Sequence, residues 1–477
     1  MIALLLFAAV FTRPLERVTT LDPAMAQSVY DCRATMLLFE SILKIDYAAR
    51  PYKLVPGICE LPEISEDGLV YSFKVAAGSK DLVSPGDIVR SLGRLRDPAI
   101  VSPNGWILKE VEDIVAADDS FSVRLKRPQH VFPWLMAMPC ASVILPDGTG
   151  TGPYRLESWR KNHEMTFVRK VPSPGGFDTV RYLVVDDPST QWLMFLKGEI
   201  DMLGEIGRDN WDAVVDKDGE LDRRLADEGV RLCSMPTLES MYIGVNMKDP
   251  VLGGNRKLRQ ALNCAFDYPE WEKFYQNRVI EARSPVPPQV EGAIAEPFAY
   301  SYNPEKAKRL LAEAGYPDGI DPGTGRRLTL TLAIGRASQD SREAGELLVA
   351  FFDAIGIKLE LKFYTWDAFL KAVNEGRVQL YRMGWVGDYP DAENFLQLFH
   401  SRNVSPGPNH SAYENPEFDA AFDAGDYRKC QEIVREDCPW IFTHFNKANS
   451  LVRRRVGNYI PSDFPYGQEQ YYEHIDD

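Results

Sequence analysis

Between Leu328 and Phe363 the side chains change their period twice. Leu328 to Ile334 (LTLTLAI) alternates with the two-residue repeat of a strand. Ser341 to Ala354 (SREAGELLVAFFDA) carries its apolar residues at helical spacing and stops near Gly356. Ile357 to Phe363 (IKLELKF) alternates again. Strand, helix and strand joined by short turns read as a βαβ unit, two parallel strands with a right-handed crossover. The pattern continues with a helix over Trp366 to Asn374 and a strand over Gln379 to Val386 (QLYRMGWV). An α/β lobe is therefore expected over residues 248–444.

Other elements follow from the same rules. Residues 68–75 (GLVYSFKV) and 121–126 (FSVRLK) alternate as strands, with a helix opened by Pro85 between them (PGDIVRSLGRL, 85–95). These make a small α+β unit within 47–150. Residues 256–267 (RKLRQALNCAFD) have helical spacing. Asn303, Pro304 and Glu305 open a further helix that Gly315 stops. At 477 residues, two or three domains are expected.

Composition narrows the function classes. Acidic residues outnumber basic ones 69 to 54, a formal net charge of −15, whereas nucleic-acid binding requires a basic footprint. The seven cysteines at 32, 59, 140, 233, 264, 430 and 438 form no CxxC and no zinc spacing with histidine. Cys32 and Cys59 are close enough in sequence to pair across the N-terminal region. Cys430 and Cys438 read as one helix, where eight residues span about 12 Å, too far for a bridge. Met1 to Phe11 (MIALLLFAAVF) is apolar without a basic start and too short to span a bilayer. Three readings are open for it: an incomplete secretion signal, a buried first strand, or a membrane-associated end.

Several phrases in one order carry a family resemblance from residue 18 to 460. They are Thr20-Leu21-Asp22-Pro23, SEDGLVYSFKV (65–75), GTGPYRLESW (150–159), YIGVNM (242–247), RKLRQALNCAFD (256–267), YNPEKAKRLLAEAGYPDG (302–319), IGIKLELKFYTWDAFLKAV (355–373) and RMGWVGDYPDAENFLQLF (382–399). The chain resembles family 5 of the bacterial extracellular solute-binding proteins, the oligopeptide- and dipeptide-binding components of ABC importers. The resemblance implies an α/β two-lobed periplasmic binding protein fold (type II, cluster C) with a small inserted domain. Residues 1–46, 151–247 and 445–477 would form discontinuous lobe I, 47–150 the insertion and 248–444 lobe II. Two hinge segments would fall near Asn246 and near His444 to Lys447, and hinge closure would bury the ligand. The sequence departs from many relatives at Ala76 to Pro85, which is shorter, and after Pro416, where one helix is missing.

The resemblance also implies a site. A buried peptide brings an ammonium, a carboxylate and unsatisfied backbone groups, so the protein must supply opposite charges. In peptide-binding relatives the Asp at the position of Asp388 meets the ligand amino group. In some tripeptide-binding relatives an Arg at the position of Arg382 approaches the carboxylate. Residues 382 and 388 would share one strand face, roughly 20 Å apart at most. Gly384 and Gly387 would admit a ligand backbone to the strand. Trp385 would wall a side-chain pocket and Asn246 would bond ligand backbone. Structural roles fit each residue too: Asp388 capping the turn before Pro390, Arg382 in an inter-domain ion pair, Trp385 in the core, Asn246 bracing backbone. Asp391 reads as the N-cap of a helix starting near Ala392.

Catalytic signatures are absent: the sequence has no GxSxG, no HExxH and no GxxxxGK followed by Ser or Thr. The expectation is a monomeric binder that captures a short peptide or other small molecule, delivers it to ABC permease subunits and catalyses nothing. No cofactor, no metal and no nucleic acid enters this reading, and the place of action is the periplasm or another extracytoplasmic space. The alternatives are a non-peptide ligand (a metal chelate, haem or an oligosaccharide) and a sensor that has no transporter, with a hydrolase the least favoured.

Overall fold

The computed structural model describes residues 9–475 apart from 16, 217, 218, 406, 462, 463 and 465. The chain divides into two compact units, one of residues 1–235 with 448–477 and one of residues 236–447. Two long strands, Val230–Val245 and Trp440–Arg453, carry the chain from one unit into the other.

In the first unit, Val10–Leu15 is a strand parallel to Thr179–Val184, which continues antiparallel through Glu164–Arg169 to Tyr154–Arg160. The end of the N-terminal apolar run is thus a buried first strand, with Phe11 fully inaccessible. Residues 1–8 of that run lie outside the described residues. Phe11, Tyr154, Phe167 and Tyr182 fill the sheet's core. Arg13 is buried in the same strand, and its guanidinium meets Glu469 at 2.9 Å. Arg33 lies 3.6 Å from the same carboxylate. Burial alone would raise the pKa of Glu469; Arg33 and Arg13 outweigh it and hold the group below its ordinary value.

A second four-stranded sheet of the first unit runs Glu63–Ile64, Val70–Lys74, Ser120–Leu125, Val111–Ala116. Phe73 and Phe121 stack within it at 4.9 Å. The helix opened by Pro85 ends at Gly93 and tightens into a 3-10 turn over Arg94–Arg96. Ser84 and Asp87 close its start as a reciprocal capping box.

The second unit holds the crossover unit in its expected form. Thr329–Ile334 pairs parallel with Lys358–Phe363, and the helix between them is Gln339–Asp353. That helix starts two residues earlier than the apolar spacing indicates, because the Ser338 hydroxyl accepts the Ser341 amide and caps it. Leu330, Leu332, Leu348, Phe352 and Ile357 form its core. Asn303 caps Pro304–Glu313, as its sequence position indicates, by accepting the Lys306 amide at 2.9 Å.

All seven cysteines are free thiols, so Cys32 and Cys59 do not bridge. Cys430 lies within the helix Tyr427–Asp437, whereas Cys438 is its left-handed cap at φ 50°. No helix among the described residues is long and apolar enough to cross a membrane.

Candidate functional site

The strand Leu380–Val386 lies inside the sheet of the second unit, but unequally. On one side it pairs antiparallel with Glu239–Val245 over its whole length. On the other it pairs parallel with Thr329–Ile334 through Leu380, Tyr381 and Arg382 only. Beyond Arg382 that edge has outrun its neighbour, whose chain turns away at Gly335. Thr329–Ile334 also lies between Lys358–Phe363 and Leu380–Val386, so the chain leaves the two parallel strand ends in opposite directions. Such a switch in strand order opens a crevice at the carboxyl ends. A cavity of about 400 Å³ occupies the place, bordered by Met241, Ser341, Trp366, Met383, Gly384 and two arginines, Arg336 and Arg382.

Arg382 is fixed by an aromatic shelf. Its guanidinium donates to the Tyr275 hydroxyl at 2.6 Å and lies 5.6 Å from the centre of the Trp271 ring. The Trp271 indole N–H donates to Nδ1 of His444 at 3.0 Å. His444 is buried; burial and the nearby Arg382 charge bring its pKa down to about 3, with Asn446 opposing. The imidazole is therefore neutral across the physiological range and serves as an acceptor. Arg382 has no ion-pair partner among the described residues.

Trp385 and Asp388 converge on Asn394. The Trp385 indole donates to Asn394 Oδ1 at 2.8 Å, and the Asn394 amide stands beside the Asp388 carboxyl. Burial raises the pKa of the Asp388 carboxyl, and the Asn394 amide pulls against it. Asp391 caps the helix Ala392–Leu396 as its position indicates, accepting the Glu393 amide at 2.8 Å.

The glycines and Asn246 show other constraints. A Cβ on Gly384 would fall 2.4 Å from the Met241 sulfur, and one on Gly387 would fall 2.7 Å from Phe395 Cζ. Gly387 is therefore closed off by a packed ring, whereas at Gly384 the flexible Met241 side chain is what would have to shift. The Gly387 N–H donates to Leu238 O at 2.7 Å. Asn246 lies at the far end of Glu239–Val245. Its amide donates to the Gly376 and Val378 carbonyls at 3.0 and 2.9 Å, and its Oδ1 accepts the Lys248 N–H at 3.0 Å. Arg382 and Gly384 thus share one cavity, Trp385 and Asp388 share one amide, and Asn246 braces a separate turn.

Sequence reasoning missed Arg336, Asn394 and the Tyr275–Trp271–His444 shelf. Arg336 had a usable signal, since it follows the end of the first strand of the crossover unit, where α/β sheets place ligands. Asn394 lies in the GDYPDAENF phrase, three residues past the helix cap. The shelf gave none, because Tyr275 and His444 stand far from Arg382 along the chain.

A switch-point cavity on an α/β unit, bordered by cationic side chains and an open strand edge, marks a protein built to receive a ligand. The chain belongs to the bacterial extracellular solute-binding proteins of family 5, whose middle-region model matches residues 53–406. It is 27% identical to Heme-binding protein A of Haemophilus influenzae over 87% of this chain and 83% of that protein. It is 24% identical to the Dipeptide-binding protein of Escherichia coli K12 over 87% and 85% of the two chains. Its fold is that of the periplasmic murein tripeptide binding protein MppA in an unliganded open form, with a TM-score of 0.84, 20% identity and 98% of each chain covered. Family and fold together establish a two-lobed solute-binding protein.

Proposed function

We propose that this chain is the substrate-binding component of an ABC-type importer, which captures a short peptide outside the cytoplasm and passes it to membrane permease subunits. It acts by binding and release and catalyses no reaction. Lobe I would comprise 1–46, 151–247 and 445–477, the inserted domain 47–150 and lobe II 248–444.

One observation carries the reading. The strand Leu380–Val386 and the bend just past its end, which takes Asp388 off the strand expected to carry it, offer a half-buried carboxyl with a raised pKa at Asp388, a guanidinium without an ion-pair partner among the described residues at Arg382, and an edge that has outrun its neighbour between them. These are the counterparts of a peptide's ammonium, carboxylate and backbone. An incoming ammonium would offset the cost of holding the Asp388 charge away from water. Trp385, held by Asn394, would flank the ligand, and Gly384 and Gly387 would keep the strand within reach of it. Asn246 would contribute by bracing the first crossing strand.

Mass spectrometry of ligand released from the purified protein, followed by calorimetry with Asp388→Ala, tests this. The variant should remain folded and lose peptide affinity by roughly a hundredfold or more, the scale for removing one partner of a desolvated charge pair. Unchanged affinity for every peptide would remove Asp388 from the site.

A second reading, haem as the ligand, has in its favour the relative in Haemophilus influenzae whose name describes haem binding. Haemin titration followed by absorbance decides it: a saturable spectral shift at micromolar protein supports haem, and peptide recovered from the purified protein supports the first reading.

A further inference from the structure

We infer that the preferred peptide ends in an acidic residue, so that two carboxylates, the terminal one and that of the last side chain, enter the cavity between Arg336 and Arg382. The inference rests on the peptide reading above and names the class of peptide.

The cavity itself points there. Two of its nine bordering residues are arginines and none is acidic. Neither arginine is in an ion pair among the described residues, although the chain carries 15 more acidic than basic residues. Several other arginines of the same unit have carboxylates at hand, among them Arg283 with Glu281 at 2.8 Å, Arg327 with Asp353 at 2.7 Å and Arg402 with Asp423 at 3.0 Å. Two guanidiniums facing one cavity repel each other, and the repulsion grows when water leaves. A single carboxylate offsets one of them; a second removes the remaining charge.

The other walls suit such a ligand end. Arg382 is oriented by Tyr275 and Trp271, so little freedom is lost when it engages an anion. Arg336 is exposed and free to swing onto the second carboxylate. Met241 and Met383 offer adaptable apolar surface to the methylenes of a glutamate side chain. Ser341 adds a hydroxyl from the first turn of Gln339–Asp353.

Calorimetry with matched tripeptides tests the inference on the full chain. Ala-Ala-Glu and Ala-Ala-Gln differ at the last side chain by one charge and almost nothing in volume. The wild-type protein should bind the Glu peptide about tenfold more tightly or better, the scale of a charge-assisted pair. In Arg336→Gln, at an exposed position where folding is safe, the preference should fall to about twofold or less. Equal, measurable affinity of the wild type for both peptides overturns the inference and leaves the peptide reading standing. An undiminished preference in Arg336→Gln overturns the assignment of the second carboxylate to that residue. No binding of either tripeptide, nor of any unrelated di- or tripeptide, overturns the peptide reading and the inference with it.

Discussion

Two charged sites, one in each unit, are built in opposite ways. In the first, Glu469 is fully buried yet its pKa lies below the ordinary value, because Arg33 and Arg13 stand beside it. In the second, Asp388 has its pKa raised by burial, and the group working against that is the neutral amide of Asn394. The arginines differ likewise: Arg13 and Arg33 share a carboxylate, whereas Arg336 and Arg382 border an open cavity without one. A charge that serves the fold comes with its partner, because an uncompensated buried charge is too costly to keep. Under the proposed function, Arg336 and Arg382 would meet their counter-charge in the ligand.

Substitution at each pole should separate the two kinds of charge. Glu469→Gln leaves Arg13 and Arg33 uncompensated in the interior and should lower stability by about 3–5 kcal/mol, read by urea unfolding. Its pKa is depressed in the fold, so its contribution is present above the unfolded value and disappears as pH falls through the folded one. A loss under about 1 kcal/mol would break the contrast.

Gly387→Ala should cost roughly 1–3 kcal/mol, because the added methyl meets the Phe395 ring at 2.7 Å. A variant as stable as the wild type would show that the ring yields and that the glycine is kept for the ligand alone.

Asp388→Asn should change stability in the opposite sense to Glu469→Gln. The folded pKa of Asp388 is raised, so its contribution to stability is fully present below the unfolded value and is lost as pH rises through the folded one. At neutral pH the variant should melt slightly above the wild type by calorimetry while losing peptide affinity. Wild-type affinity should hold at neutral pH and decline on acidification as Asp388 is protonated. That decline should begin at higher pH than for an ordinary carboxylate. Flat affinity down to pH 4 would place the ammonium elsewhere.

The smallest effect is expected of Arg336→Gln, whose side chain is exposed and in no ion pair among the described residues; stability should stay within about 0.5 kcal/mol of the wild type. A larger loss would give Arg336 a role in the fold and weaken its claim as a ligand contact.

The first strand shows where sequence reading stops. Arg13 and Pro14 interrupt the apolar run of Val10–Leu15, yet the strand pairs through both positions, and Glu469, far along the chain, supplies the counter-charge that lets Arg13 be buried. A local window cannot detect such compensation. The same holds for Arg382: its place in the strand is legible, whereas its orientation comes from Tyr275 and, behind it, Trp271 and His444. Asn246 shows the converse. Its position beside the crossing of the chain was legible, but the carbonyls of Gly376 and Val378 that occupy its amide belong to a distant turn.

The sequence by itself determined what depends on neighbours within a few residues. The crossover unit follows from two changes of period, the helix starts at Asn303 and Asp391 from cap residues, and the family from phrases kept in order. Tertiary structure alone decided which charges are compensated, which glycines are filled by a neighbour, and that Arg336 joins Arg382 at one cavity. The physical reason is that secondary structure answers to local torsion and hydrogen bonding, whereas the energy of a buried charge depends on everything within several ångströms, much of it contributed by residues a hundred or more positions away.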